Sequence, residues 1–406
     1  MVPLTKGVTM LVTTQTQFQS LSALQSIAPL EAQISDICII GDGAVSLAAG
    51  CLFAGSVHSL RVLSLPGKHI PEALPTEFEI RDRGASVSTF RARTCFTNRT
   101  IDYKTALRGA DAIVISSPAT EYGVLAKNLA PVLANGQTIF LLNSPLAGGL
   151  EFEHRVRTLK RDLQINVVEV GALFDSAKIE GGVLLITGRR DKISFCGNSR
   201  NASRKALEST STLSEFLVPC SNPLERGFSE VEKFIRPSLL LFAIMGARGK
   251  ELDCISNIIN PALTAVISAI EAELQALAKN YKCIVHNFFD TLHDFSGARW
   301  EDADCLDQAL ISVSKSFLEQ NVNRASGSDS IPMDAAIAVL KSDVQETLVL
   351  VSELARLSRT PVPVINSVID LAAAATRCDL QKQSRTLADL GLMGFDAQEI
   401  VEIANS

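Results

Sequence analysis

Residues 34–64 read ISDICIIGDGAVSLAAGCLFAGSVHSLRVLS, and the fold is decided there. Ile37, Cys38, Ile39 and Ile40 form an unbroken apolar run, the pattern of a strand buried on both faces of a parallel sheet. Gly41-Asp42-Gly43 follows at once; the small residues Ala44 to Ala54 then predict a helix, and Leu60 to Leu65 a second strand. Together they make a β-α-β unit of about thirty residues. A strand that breaks at glycine into a helix is the geometry that holds a dinucleotide pyrophosphate. The first glycine permits the tight turn and the second lets main chain approach the phosphates. The helix N-terminus supplies N–H groups and the positive end of a dipole. Gly41, Asp42, Gly43, Ala44, Val45 and Ser46 are therefore the candidate pyrophosphate residues. Ser46 stands at the third fingerprint position, where Gly or Ala is usual for close helix–strand packing.

An NAD site usually carries an acid near the end of the second strand, for the ribose 2′-hydroxyl. Here that place holds Ser64, with Lys68 close behind, a pair suited to a 2′-phosphate. The expected cofactor is NADP(H) in preference to NAD(H). Further apolar strands are predicted at Ala112–Ile115 and Thr138–Leu142, with the helix Tyr122 to Leu133 between them. In a doubly wound sheet, ligands lie outside the carboxyl ends of the strands. Ser116, Pro118 and Asn143 are thus candidates to line the nicotinamide crevice, and Tyr122 is a candidate for substrate contact.

Residues 72–105 alternate as a hairpin excursion from the main sheet. Gly182–Ile186 and Lys192–Phe195, split by Arg189-Arg190-Asp191, predict a second hairpin, and a helix near Arg200 to Ser214 and a strand at Glu215 to Val218 follow. From about Pro223 the period changes. Helices are predicted over Val231 to Met245, Pro261 to Ala278 and Ala335 to Leu357, with a Ser/Gly/Asn loop at Asn321 to Ile331. The fold class is an α/β Rossmann-type N-terminal domain followed by a mainly α-helical C-terminal domain. The expected divisions are an N-terminal extension at 1–34, a dinucleotide-binding domain at 35–222 and a helical substrate domain at 223–406.

A net charge of −6 argues against nucleic acid or an anionic membrane as partner. No apolar run reaches spanning length, and residues 1–19 lack the pattern of a secretory signal. The nine cysteines, at positions 38, 51, 95, 196, 220, 254, 283, 305 and 378, contain no C-x-x-C pair. Several sit in apolar runs, as reduced core thiols of a cytoplasmic protein do. The five histidines show no metal-ligand spacing, and no metal is expected.

Four stretches carry a resemblance: NSPLAGGLEF (143–152), LTAVISAIEAELQALAKNYKC (263–283), LKSDVQETLVLVSELARLSRTPVPVINSVIDLA (340–372) and SRTLADLGLMGFDAQEI (384–400). In order and spacing they resemble the octopine/nopaline (opine) dehydrogenase family, over residues 36–403. The resemblance implies a substrate cleft between the two domains and reduction, by a nicotinamide dinucleotide, of the imine formed from an amine and a keto acid. It also implies a His–Asp pair for the proton and an Arg for a substrate carboxylate. The Asp falls on Asp343. The His-Pro falls on Arg236-Pro237, so Arg236 stands where the histidine is expected. The substrate Arg falls on Ala338, and a helix Glu-Arg pair on Glu273 and Leu274. Arginine, with a pKa above about 12, cannot shuttle a proton near neutrality. It can bind a substrate carboxylate or pair with Asp343.

On the residues alone, Ser342-Asp343-Val344-Gln345 reads as a helix capping box, which gives Asp343 a first-turn role. His286 and His293 are the histidines on the helical side, and Trp300 is read as a packing anchor. The expected function is an opine-dehydrogenase-type oxidoreductase, its partners a small-molecule amine and carbonyl compound, with homodimerisation left open. The alternative is a catalytically idle homologue acting as a nucleotide-binding or regulatory module. A ketopantoate-type reductase is disfavoured because no catalytic lysine stands at an expected place.

Overall fold

The computed structural model describes residues 36–41, 43–54, 59–65, 73–81, 89–94, 96–190, 192–210, 215–247, 249, 251–252, 255–295, 306–311 and 331–406. The extension at 1–34, Asp42, Lys68, Trp300 and the side chain of His293 lie outside them.

The chain opens with β1 (Asp36–Ile40), α1 (Ala44–Ala54) and β2 (Ser59–Leu63), as the opening stretch predicts. The excursion follows as β3 (Glu77–Arg81) and β4 (Thr89–Arg93), an antiparallel pair. Then come β5 (Phe96–Thr100), α2 (Tyr103–Leu107), β6 (Ala112–Ile115), α3 (Tyr122–Leu129), β7 (Thr138–Leu142), α4 (Gly148–Leu159) and β8 (Asn166–Val170). Strands β5-β2-β1-β6-β7-β8 are adjacent and all parallel. Counted alone they have the order 3-2-1-4-5-6 of a Rossmann sheet, whose switch point falls between the first and fourth strands, here β1 and β6.

Next come β9 (Phe174–Glu180), β10 (Val183–Arg189), β11 (Ile193–Gly197), α5 (Arg200–Ser209) and β12 (Leu217–Pro219). The hairpin predicted for 182–195 does not form. β10 pairs with β9 and, in parallel, with β3 in a separate four-stranded sheet, β4-β3-β10-β9. β11 instead crosses to the main sheet, antiparallel to β8. The helix expected to reach Ser214 ends at Ser209.

The small sheet explains α1. On one side α1 packs against β1 and β6, on the other against β9 and β10. Every described side chain from Ser46 to Phe53 is buried as a result. A helix that is apolar all round needs such cover. The closest approach to β1 is at Gly50, where a Cβ would run into the Ile39 side chain.

The remainder is α6 (Pro223–Phe228), α7 (Glu232–Gly246), β13 (Glu251–Leu252), α8 (Pro261–Asn280), α9 (Phe288–Phe295), β14 (Ile331–Pro332) and α10 (Met333–Asp343). A π-helical turn, Val344–Leu348, leads from α10 into α11 (Val349–Leu357), and α12 (Pro363–Thr376) and α13 (Ala397–Ala404) close the chain. One core joins these helices to Leu146 and Ala147 of the sheet-side loop. By length and composition α8 could span a membrane, contrary to the expectation from the sequence. Its Leu263, Ile267, Ile270, Leu274 and Leu277 are instead buried in that core. Glu273 projects from the same helix to accept the Val364 and Ile365 N–H groups at 2.7 and 2.9 Å, capping the first turn of α12. That is a structural task.

Candidate active-site cavity

A cavity of about 550 Å³ opens between the switch point and the helices α7 and α10. Its sheet-side wall is Val45 and Ala49 of α1, Ser116, Ser117 and Pro118 after β6, Leu142 and Asn143 at the end of β7, and residues 172–176. The far wall is Lys233 and Arg236 from α7, and Ala335, Ala338, Val339, Ser342, Asp343 and Glu346 from α10 and its π turn. The structure thus brings Val45, Ser116, Pro118, Asn143, Arg236 and Asp343, all named from the sequence, to one cavity.

The other sequence candidates divide. Gly41 has φ +101°, which only glycine adopts without strain, and its N–H donates to Leu63 O at 2.8 Å. Gly43 and Val45 are exposed at the start of α1, as an anion-holding first turn must be. Ala44 is half-buried there. Ser46 is buried, its Oγ 2.9 Å from where a Gly41 Cβ would stand. The close helix–strand contact expected at Ser46 is made one turn later, at Gly50. Ser64 is 1% exposed, and its Oγ has no hydrogen-bond partner among the described residues.

Tyr122 does not reach the cavity, which corrects the substrate role expected for it. It is 1% exposed, edge-on to Phe152 at 5.6 Å, with its hydroxyl bonded to Ser144. It lies in the core on the sheet face opposite α1. Burial, partly offset by the Ser144 bond, pushes its pKa up. His286 is exposed and does not line the cavity.

Asp343 is not a first-turn residue either. It ends α10 and passes straight into the π turn, so the capping box predicted at Ser342 is absent: the pattern lies inside a helix begun at Met333. In the π turn the Val349 N–H reaches back to Val344 O. Such turns recur at functional sites.

The charges are tightly arranged. Arg236 grips Asp343 side-on, Nε to Oδ2 at 2.6 Å and Nη2 to Oδ1 at 2.6 Å. Lys233, one turn before it on the same face of α7, holds Nζ 3.6 Å from Asp343 Oδ1. Burial pulls the Arg236 pKa down, but Asp343, its hydrogen bonds, Glu232 and Glu346 more than offset this and keep the guanidinium charged. Asp175, also lining the cavity, pairs with Arg190 at 2.8 Å, and Arg190 with Glu232 at 2.9 Å.

Two further ion networks hold the walls. Arg226, fully buried, pairs with Glu169 at 2.9 Å and donates to Ser144 O and Pro145 O at 2.6 and 2.9 Å. It thereby fixes the loop that follows Asn143, whose φ of +49° is left-handed. Burial raises the Glu169 pKa, against the pull of Arg226 and the Gly149 N–H. Arg385 binds Glu151 at 2.5 Å, Leu146 O at 3.0 Å and Glu346 O at 2.6 Å, joining the sheet-side loop to the π turn. Lys233, Glu346 and Arg385 are site residues that a reading of the sequence misses: Lys233 and Arg385 are defined by neighbours distant in the chain, and Glu346 by its place in the cavity wall. Lys233 alone has a local signal, its i, i+3 spacing to Arg236.

Among the described residues no cluster of His, Cys, Asp and Glu could hold a metal.

A Rossmann-type α/β half facing a mainly helical half across a charged cavity defines the class: the two-domain fold of the opine dehydrogenases. Residues 219–376 match the family described as NAD/NADP octopine/nopaline dehydrogenase, alpha-helical domain. The match lies in the helical half, where three of the four sequence stretches that carry the resemblance also fall. An opine dehydrogenase of Arthrobacter sp. (strain 1C) is 25% identical over 327 residues, 79% of this chain and 87% of that protein. The structure of octopine dehydrogenase in complex with NADH and agmatine superposes with a TM-score of 0.68 at 17% identity, covering 90% of this chain and 97% of that one. Yersinopine dehydrogenase with NADP+ bound gives a TM-score of 0.62 at 15% identity, covering 92% and 98%.

Proposed function

We propose that this chain is a nicotinamide-dinucleotide oxidoreductase of the opine dehydrogenase type, using NADP(H) in preference to NAD(H). Its reaction is reduction of the C=N bond formed between an amine and a carbonyl compound. The observation that carries the reading is one continuous cavity, from Val45 and Ala49 of the phosphate-binding helix to Lys233 and Asp343 on the helical side.

The residues fit the dinucleotide. Gly41 makes the turn, and the exposed start of α1 at Gly43 and Val45 offers main chain to a pyrophosphate. Ser64 leaves a buried hydroxyl without a partner just past the end of β2, where the adenosine ribose lies in this fold. That hydroxyl, with Lys68 following, supports the NADP(H) preference. Ser116, Pro118 and Asn143 would flank the nicotinamide. When bound, the reduced nicotinamide supplies the hydride.

The C=N bond also needs a proton at nitrogen. Arg236 cannot release one, but Lys233 lines the cavity and can. In this reading Lys233 is the proton donor, Asp343 holds its ammonium in place, and Arg236 holds Asp343. Loss of the usual arginine at Ala338, a cavity residue, leaves no side chain there for a keto-acid carboxylate and favours a different carbonyl partner.

The bidentate grip of Arg236 on Asp343 also favours a second reading, an idle homologue that binds the dinucleotide without turnover. Fluorescence and thermal-shift titration of the full chain with NADPH and NADH, followed by NADPH oxidation against a panel of amine and carbonyl pairs, tests both. Binding with turnover supports the enzyme, and binding without turnover across the panel supports the idle homologue. Binding of neither dinucleotide would sink the proposal.

A further inference from the structure

Among the described residues, five charged side chains line the cavity: Asp175, Lys233, Arg236, Asp343 and Glu346. Asp175 is paired with Arg190, and Lys233 and Arg236 are both committed to Asp343. Glu346 is different. It is 4% exposed, and its Oε1 is buried without a hydrogen-bond partner.

A buried carboxylate oxygen with no donor is costly, so something must hold it there. The main chain does. Glu346 lies in the π turn, and Arg385 takes two carbonyls of that turn, its N–H donating to Gln345 O at 3.1 Å and its Nη1 to Glu346 O at 2.6 Å. The same guanidinium is clamped to Glu151 and Leu146 on the sheet side. The carboxylate is therefore fixed at the cavity wall from behind, with Oε1 answered by no donor among the described residues.

We infer that Glu346 is the anchor for a cationic nitrogen group of the substrate, an ammonium or guanidinium, which completes the ion pair that the protein leaves open. The inference rests on the cavity being the substrate site and adds to that reading the sign of the substrate. A cation seated at Glu346 lies one helical turn from Asp343, so its amine-bearing end is held beside Lys233 and Asp343.

The test uses three probes of matched size on the full chain: butylguanidinium, n-butanol and butyrate, each titrated by calorimetry against wild type and Glu346→Gln. NADPH is titrated on the same samples. Wild type should bind butylguanidinium at least tenfold more tightly than n-butanol, and butyrate least. In Glu346→Gln the preference for the cation should vanish while n-butanol and NADPH binding stay unchanged. Because a buried carboxylate oxygen without a donor is removed, the variant should melt at or above the wild-type temperature, which a residue with a structural ion-pair role would not do. Undiminished cation binding by Glu346→Gln, or no cation preference in wild type, overturns the inference. Should the variant fail to fold, the wild-type ranking of the three probes decides alone. Cation selectivity without NADPH binding would leave the anchor standing and remove the dinucleotide reading; NADPH binding without cation selectivity would do the reverse.

Discussion

Arg236 and Asp343 meet with two guanidinium nitrogens, Nε and Nη2, on the two carboxylate oxygens, at 2.6 Å each, and neither residue is more than 1% exposed. A pair this well formed and this deep is worth little net stability, but breaking it strands a charge. Replacement of Arg236 by Met leaves Asp343 with Lys233 alone, at 3.6 Å, and should cost about 3–5 kcal/mol of unfolding free energy. Urea titration measures it. A loss under about 1 kcal/mol would mean that Lys233 closes the gap unaided.

Arg236→His asks the chemical question at the same position. It returns a group that titrates near neutrality beside Asp343. On the idle-homologue reading NADPH oxidation over the amine and carbonyl panel should rise, with a pH profile near the histidine range that wild type lacks; with Lys233 as the working donor it should fall, because Asp343 loses its bidentate partner. Unchanged turnover in a folded variant would argue that proton supply is not the missing element.

Lys233→Met should reduce turnover about 10²–10⁴-fold, the usual contribution of a positioned acid, while the dissociation constant for NADPH stays the same. Lys233→Arg keeps the charge near Asp343 but not a releasable proton, so it should not rescue. Rescue by arginine would reduce Lys233 to an electrostatic role.

Gly50→Val tests the contact beneath the dinucleotide. Its branched side chain must push Ile39 aside or lift α1 from β1. Overpacking of this kind costs about 1–3 kcal/mol, and displacement of the α1 first turn should weaken NADPH binding with it. A fall in melting temperature with affinity intact would separate the packing from the phosphate site.

Burial pushes the Cys38 and Cys283 thiols up to about 12, so both stay protonated through ordinary alkaline buffers. Alkylation at pH 8 followed by peptide mass mapping should leave them unlabelled in the folded chain and labelled only after unfolding. Labelling of either without unfolding would mean that the core opens locally at that site.

The parts of the fold legible in sequence are those written in adjacent residues. The run Ile37–Ile40, the break at Gly41 and the small residues of α1 each have a local cause, and so does the alternation that makes β3 and β4. The misread segments owe their structure to distant partners. β10 follows a turn and precedes β11, which looks like a hairpin; β10 pairs instead with β3, from the excursion before β5. Ser342 and Gln345 have the spacing of a cap, yet the helix is already running, and its local signal is overruled by the π turn. In the cavity, Asp343 and Arg236 can be named because each sits in a recognisable stretch. Glu346 cannot, since its significance is the absence of a partner, which no spacing encodes. Tyr122 has the right address near a strand end but faces the core through Phe152.

The double cover on α1 has one more consequence. Held between two sheets, that helix has no free flank along which to tilt or slide, so the half of the cleft built on it acts as an anvil. Any opening of the cleft then has to come from the α7 and α10 side, against the hold of Arg385 on the π turn. Deuterium exchange should reflect the division: amides of Leu47 to Phe53 among the slowest in the chain, those around Lys233 and the π turn faster, although both line the same small space.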